Sequence, residues 1–188
     1  MNRKTHAAAP RATAQTPLFR PPVLANAAEP AGVALAQQLH EVAIALNEIR
    51  RGRSGTAVLE RVPSALRPGV QSLLFQVLRA LGWAEAVRQQ LAPRAPAPAV
   101  DALLCTALAL LADEEHPPYA PFTLVNQAVQ AAKQDHATRA QAPFINACLR
   151  RFLRERGALQ QAVAGDLRAK WNHPLWRVAQ QRTDHPQN

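Results

Sequence analysis

Three arginines close together, Arg150, Arg151 and Arg154, are the side chains in this sequence best suited to hold an anion. Each guanidinium presents a planar fork of donors that matches phosphate oxygens. Phe144, Ile145, Cys148, Leu149, Phe152 and Leu153 recur at spacings of three and four from Ala140 to Arg156, which predicts a helix with one apolar stripe. At about 100° per residue the three cations project from the side opposite that stripe. Arg150 and Arg154 are like charges four residues apart, an arrangement that costs a few tenths of a kcal/mol in an isolated helix and that an anionic partner would reverse. A solvated helix end, where cations complement the helix dipole, would produce the same pattern. Arg50, Arg51 and Arg53 form a second cluster at the end of an earlier helix. They are read either as another phosphate-facing patch or as ordinary dipole complementation. Arg79 is open to the same two readings.

Catalytic chemistry finds little footing. Cys105 lies between Leu104 and Thr106 and Cys148 between Ala147 and Leu149, apolar settings that suit core residues rather than nucleophiles. Asp113, Glu114, Glu115 and His116 are adjacent, and neighbouring residues rarely converge on one metal ion; the Pro117-Pro118 that follows marks a solvated loop. The six histidines show no His-x-x-x-His pair, and there is no Cys-x-x-Cys for zinc. The seven glycines never assemble a turn that could cradle a cofactor phosphate, Gly52 and Gly55 reading as a helix break. We expect no catalytic site, metal or cofactor in this chain. Trp171, His173 and Trp176 suggest an aromatic anchor that holds the tail to the bundle or to a further domain, with Trp176 a candidate exposed apolar patch.

The elements that must position these groups are all helical. Leu35, Leu39, Val42, Leu46 and Ile49 share one stripe, ended by Gly52. A short helix is expected from Ser54 to Val62, broken at Pro63. A third begins near Pro68, carries Val70, Leu73, Leu74, Val77, Leu78 and Leu81, and continues past Gly82 to Leu91. After a proline-rich linker, Pro93 to Pro98, the segment Ala99 to Ala112 is apolar nearly all round and belongs at the centre. Beyond the loop Asp113 to Pro121, Leu124, Val125, Ala128, Val129 and Ala132 predict a short amphipathic helix capped by Thr123. No window alternates with period two, so no sheet is expected. The fold class is all-α, a compact bundle of six to eight helices. Residues 1–31 lack periodicity and read as a disordered basic leader, 32–178 as the folded domain, and 179–188 as a tail.

At 188 residues and 48% hydrophobic composition the chain can bury a core without staples. Its net charge of +9 and isoelectric point near 11.1 point to an anionic partner. The leader through Gly32 holds four basic residues and one acid, so +6 of the excess lies beyond it. Lysine occurs only at positions 4, 133 and 170; the bias to arginine suits phosphate, although a GC-rich genome would produce it too. No apolar run reaches the roughly 18 to 20 residues of a membrane span, and the leader has no apolar core for export. With only two cysteines, both in apolar segments, a reducing, cytoplasmic location is expected.

Three runs carry a family resemblance: Leu124-Val125-Asn126-Gln127-Ala128-Val129, the stretch from Phe144-Ile145-Asn146-Ala147 through Leu149-Arg150-Arg151-Phe152-Leu153-Arg154, and His173-Pro174-Leu175-Trp176. In order and spacing they resemble the N-terminal domain of the RsmB/Sun family of 16S ribosomal RNA 5-methylcytosine methyltransferases, a domain similar to the antitermination factor NusB. The stretch Val70 to Arg79 also fits, with Phe75-Gln76 where the family usually has Tyr-Gly. The likeness covers about residues 33 to 178. It implies a NusB-like bundle that docks a methyltransferase on 16S ribosomal RNA, with Arg150, Arg151 and Arg154 meeting phosphate. Asn126 and Asn146 match paired positions of the family and either read RNA or tie neighbouring helices by side-chain hydrogen bonds. A catalytic member would need, after residue 178, a Rossmann-like domain with a glycine-rich turn for S-adenosylmethionine and cysteines in Pro-Cys and Thr-Cys contexts. This sequence has none of these, so a catalytic domain would have to act in trans or in a longer chain. The alternative is an antitermination-type module binding a leader RNA and a ribosomal protein. That factor ordinarily lacks both the Arg-Arg-Phe-Leu-Arg run and the His-Pro-x-Trp junction.

Overall fold

A computed structural model of the chain describes residues 34–166. The expectations for the leader, for Trp171, His173 and Trp176, and for the tail lie outside these residues. Among the described residues there are seven helices and no strand: α1 (Leu35–Arg50), α2 (Gly55–Arg61), α3 (Arg67–Leu91), α4 (Pro98–Leu110), α5 (Pro121–Gln134), α6 (His136–Arg139) and α7 (Ala142–Val163). The architecture is an all-α bundle, and none of these helices is long and apolar enough to cross a membrane.

The periodic stripes become its core. Leu39, Val42 and Leu46 of α1, Val70, Leu74 and Val77 of α3, and Ile145, Leu149 and Phe152 of α7 are all buried. Helix α4 is the axis, packing against α1, α3, α5, α6 and α7. Ala102 through Leu111 are buried without a break, as a helix with no polar face requires. Gly52 adopts φ 91, which only glycine enters at no cost, and turns the chain out of α1. Ser54 then caps α2, its Oγ accepting from Ala57 N at 3.2 Å, and Gly55 is the first residue of that helix rather than part of the break.

Three local expectations change. Helix α5 begins at Pro121 with Ala120 as N-cap and no side-chain cap; proline's fixed φ sets the helix start, and Thr123 lies inside the first turn, exposed. Helix α6 has four residues, too few to show a period, and is capped by Asp135 accepting from Ala137 N at 2.9 Å. Helix α7 runs seven residues beyond Arg156, because Leu159 and Val163 continue its buried stripe. Its backbone leaves helical dihedrals at Glu155 (φ −109, ψ 18), two residues before Gly157, the weakest helix former after proline.

Candidate nucleic-acid interface

Helix α7 brings Arg150, Arg151 and Arg154 to the surface as its stripe dictates, all three exposed above the buried Cys148, Leu149 and Phe152. Their donors are differently occupied. Arg151 Nε donates to Glu155 Oε2 at 2.9 Å, an exposed pair one turn apart. Arg150 Nε donates to Asn146 Oδ1 at 3.1 Å, which leaves its terminal nitrogens pointing outward as a fork. Arg154 has no partner among the described residues. Glu155 is the only acid on α7, so this face keeps a positive excess that a solvated pair or two does not cancel.

The second arginine cluster separates into two. Arg50 ends α1 at the surface, yet its side chain is only 24% exposed: Nη2 donates to Glu85 of α3 at 2.7 Å and Nη1 to Asp101 of α4 at 2.9 Å. Asp101 also faces Arg88 Nε at 2.8 Å, both side chains 14% exposed. Arg50 is therefore an interhelical tie with its donors committed. Arg51 and Arg53 remain exposed, but both sit on Glu48, at 3.2 Å and 2.5 Å, with Arg61 at 3.9 Å from the same carboxylate. The turn at Gly52 causes this, folding Arg53 back so that its amide donates to Glu48 O at 3.1 Å. Three guanidiniums around one carboxylate still leave a net positive patch, separate from α7.

Arg79 is exposed on α3, one turn before Trp83. The Trp83 ring meets Phe152 of α7 edge-on, with centroids 5.8 Å apart at 83°. Arg79 thus belongs to the α3 strip that borders α7. The two asparagines do not tie helices together. Asn146 accepts from Arg150 within α7, and Asn126 is exposed on α5 with no hydrogen bond among the described residues. The tie is made one residue on, where Gln127 Oε1 accepts from Ala36 N at 3.1 Å and satisfies a first-turn amide of α1 that no side chain of its own helix caps. Orienting Asn126 outward and Gln127 toward α1 needs the helix phase, which the apolar set Leu124, Val125, Ala128 already defines.

Both cysteines are buried. Burial, helped by the Asp101 carboxylate and opposed by Arg50, pushes the Cys105 thiol up to about 12; burial also raises Cys148, with Arg151 opposing. Neither is a nucleophile at neutral pH. Asp113 forms an Asx turn, its Oδ1 accepting from the amides of Glu115 at 3.1 Å and His116 at 2.9 Å. No group of three metal-ligating side chains occurs among the described residues.

Neither the family models nor the curated proteins compared with this chain match it.

Residues 34–166 hold 14 basic and 11 acidic side chains, a net of +3, and a further +3 falls in 167–188. The positive excess of the bundle is thus modest in total, and concentrated where acids are scarce, on α7. What sequence reasoning missed is Phe122, which is 68% exposed beside Pro121 at the start of α5. Its signal was present: it stands outside the set Leu124, Val125, Ala128 that defines the buried face.

Proposed function

We propose that this chain is an RNA-docking domain of the RsmB/Sun type, holding 16S ribosomal RNA for a cytosine-5 methyltransferase whose catalytic domain lies in another chain or in a longer form of this one. The observation that carries the reading is the exposed face of α7, where Arg150 and Arg154 stand one turn apart over a fully packed stripe, with one neighbouring acid. A bundle gains nothing from two like charges at that spacing, whereas a phosphate backbone is neutralised by them and releases counterions. The match of this face to the Asn-Ala-x-Leu-Arg-Arg-Phe-Leu-Arg run of the family supports the same reading. Arg79, Arg51 and Arg53 extend the basic surface as secondary contacts, and Arg50 is left out because its donors are used. We place the protein in the cytoplasm.

The test replaces Arg150, Arg151 and Arg154 with Gln together. The exposed positions leave packing untouched, so helicity is retained. Affinity for a labelled ribosomal RNA hairpin falls, and each lost phosphate contact lowers the slope of log affinity against log salt by about 0.7 to 0.9. Equal affinities and equal slopes for parent and variant would refute the proposal.

A further inference from the structure

Among the described residues three large apolar side chains are exposed, Ile44, Phe75 and Phe122, and Phe122 is the most open of them at 68%. Its place in the bundle relates it to the cations of α7. Helices α5 and α7 pack together and are joined only through α6, so they run antiparallel. Thr138 Oγ1 of α6, donating to Ala132 O at 2.8 Å, folds the connection back onto the end of α5. At about 1.5 Å rise per residue, Phe122 stands about 15 Å along α5 from Ala132, level with the α7 turn that carries Phe152 and Arg154. An independent contact agrees: Arg156 Nη2 donates to Leu111 O at 2.6 Å and its Nε lies 3.3 Å from Glu114, on the segment that leads into α5.

The azimuth agrees as well. Gln127 faces α1 through its bond to Ala36. Val125 and Val129, buried and partly buried on the other flank, cover α5 toward α7. Phe122, Val125 and Val129 stand at i, i+3 and i+7, so Phe122 prolongs the α7-facing stripe by one turn, past the point where it is covered. Asn126 lies one turn beyond Phe122, on the outer side.

We propose that Phe122 is a stacking platform for an unpaired base of the RNA whose phosphates meet Arg150 and Arg154, with Asn126 within reach of that base's edge. The ligand class is single-stranded RNA, a loop or bulge rather than duplex. The inference rests on the RNA-docking reading above. An aromatic face beside a positive strip is how single strands are held, because every splayed base has a π-face while bases inside a duplex offer none. Packed helix axes lie about 8–10 Å apart, so the guanidiniums can hold backbone while a base turns onto the neighbouring helix.

The experiment measures binding of the full chain to a labelled unstructured oligoribonucleotide and to a duplex of equal length, for the parent, Phe122→Ala and Phe122→Trp. Circular dichroism of each variant matches the parent, since the side chain is solvent-facing. Phe122→Ala weakens single-strand binding about tenfold, with its salt slope and the duplex affinity unchanged, because stacking releases no counterions. Phe122→Trp restores the single-strand affinity. If Phe122→Ala binds the single strand as the parent does, the stacking role is overturned while the arginine reading stands. If the parent binds neither RNA, both fall.

Discussion

Arg156 of α7 donates from Nη2 to the main-chain carbonyl of Leu111 at 2.6 Å, so a cation from the last helix closes the last turn of the central one. Leu111 is the C-cap of α4, where the final carbonyls have no partner within the helix. The same guanidinium reaches Ala112 O at 3.4 Å and lies 5.3 Å from the centre of the Phe152 ring. With its side chain 13% exposed, Arg156 is the one arginine of the Arg-rich run that faces inward, although the run alone makes it look like its neighbours.

Replacing Arg156 with Ala therefore costs stability and leaves RNA affinity unchanged, the reverse of the Arg150 and Arg154 variants. The lost charged hydrogen bond and ring contact amount to about 2–3 kcal/mol. Urea denaturation measures the loss. Lys at this position recovers only part, because an ammonium cannot serve two carbonyls and a ring face at once. Glu114→Gln, at 66% side-chain exposure, changes stability by less than about 0.5 kcal/mol.

Asp101 binds three helices at one carboxylate, with Arg50 of α1 at 2.9 Å and Arg88 of α3 at 2.8 Å. Removing one partner of a fully buried ion pair costs about 3–5 kcal/mol; with the site slightly open, Asp101→Asn is expected to cost about 2–4 kcal/mol. A double variant, Asp101→Leu with Arg88→Met, loses less than the sum of its two single changes, since no unpaired charge remains between α3 and α4. A thermal-unfolding cycle on the four proteins checks this.

Alkaline pH provides a third test. The Cys105 thiol is raised from 9.0 to about 12, so the folded protein holds this proton more tightly than the unfolded chain. That contribution to stability is fully present below pH 9 and is lost as pH rises toward 12, a loss of up to a few kcal/mol. Cys105→Ala flattens the decline in that window, visible in denaturation midpoints measured at successive pH values. At pH 8 neither Cys105 nor Cys148 reacts with a soluble thiol reagent until the protein unfolds. Rapid labelling of the native chain would contradict the packing described here.

The helices that periodicity announced are those with long stripes. Leu35 to Ile49, Val70 to Leu81 and Phe144 to Leu153 each repeat over several turns, and repetition is what makes an amphipathic helix legible. The four-residue α6 offers no repeat. Within α7 the direction of Arg150, Arg151 and Arg154 was also legible, because phase against the apolar stripe decides it locally. Arg50 was not separable from Arg51 and Arg53: its carboxylates, Glu85 and Asp101, are 35 and 51 residues away in the chain. Phe122 was hidden for a related reason, since the exposure of an apolar residue at a helix start depends on what the neighbouring helix fails to cover.

The sequence by itself determined the all-helical class, the core faces of the long helices and the outward face of the α7 arginines, because side-chain phase along a helix is set by a fixed rotation per residue. Only the tertiary structure decided which cations remain available: Arg50 and Arg156 are drawn inward by acceptors on other helices, Arg51 and Arg53 share Glu48, and Arg154 is left open. Burying a guanidinium is tolerated only where carboxylates or carbonyls meet its donors, and those partners are brought together by the fold rather than by the spacing of residues along the chain.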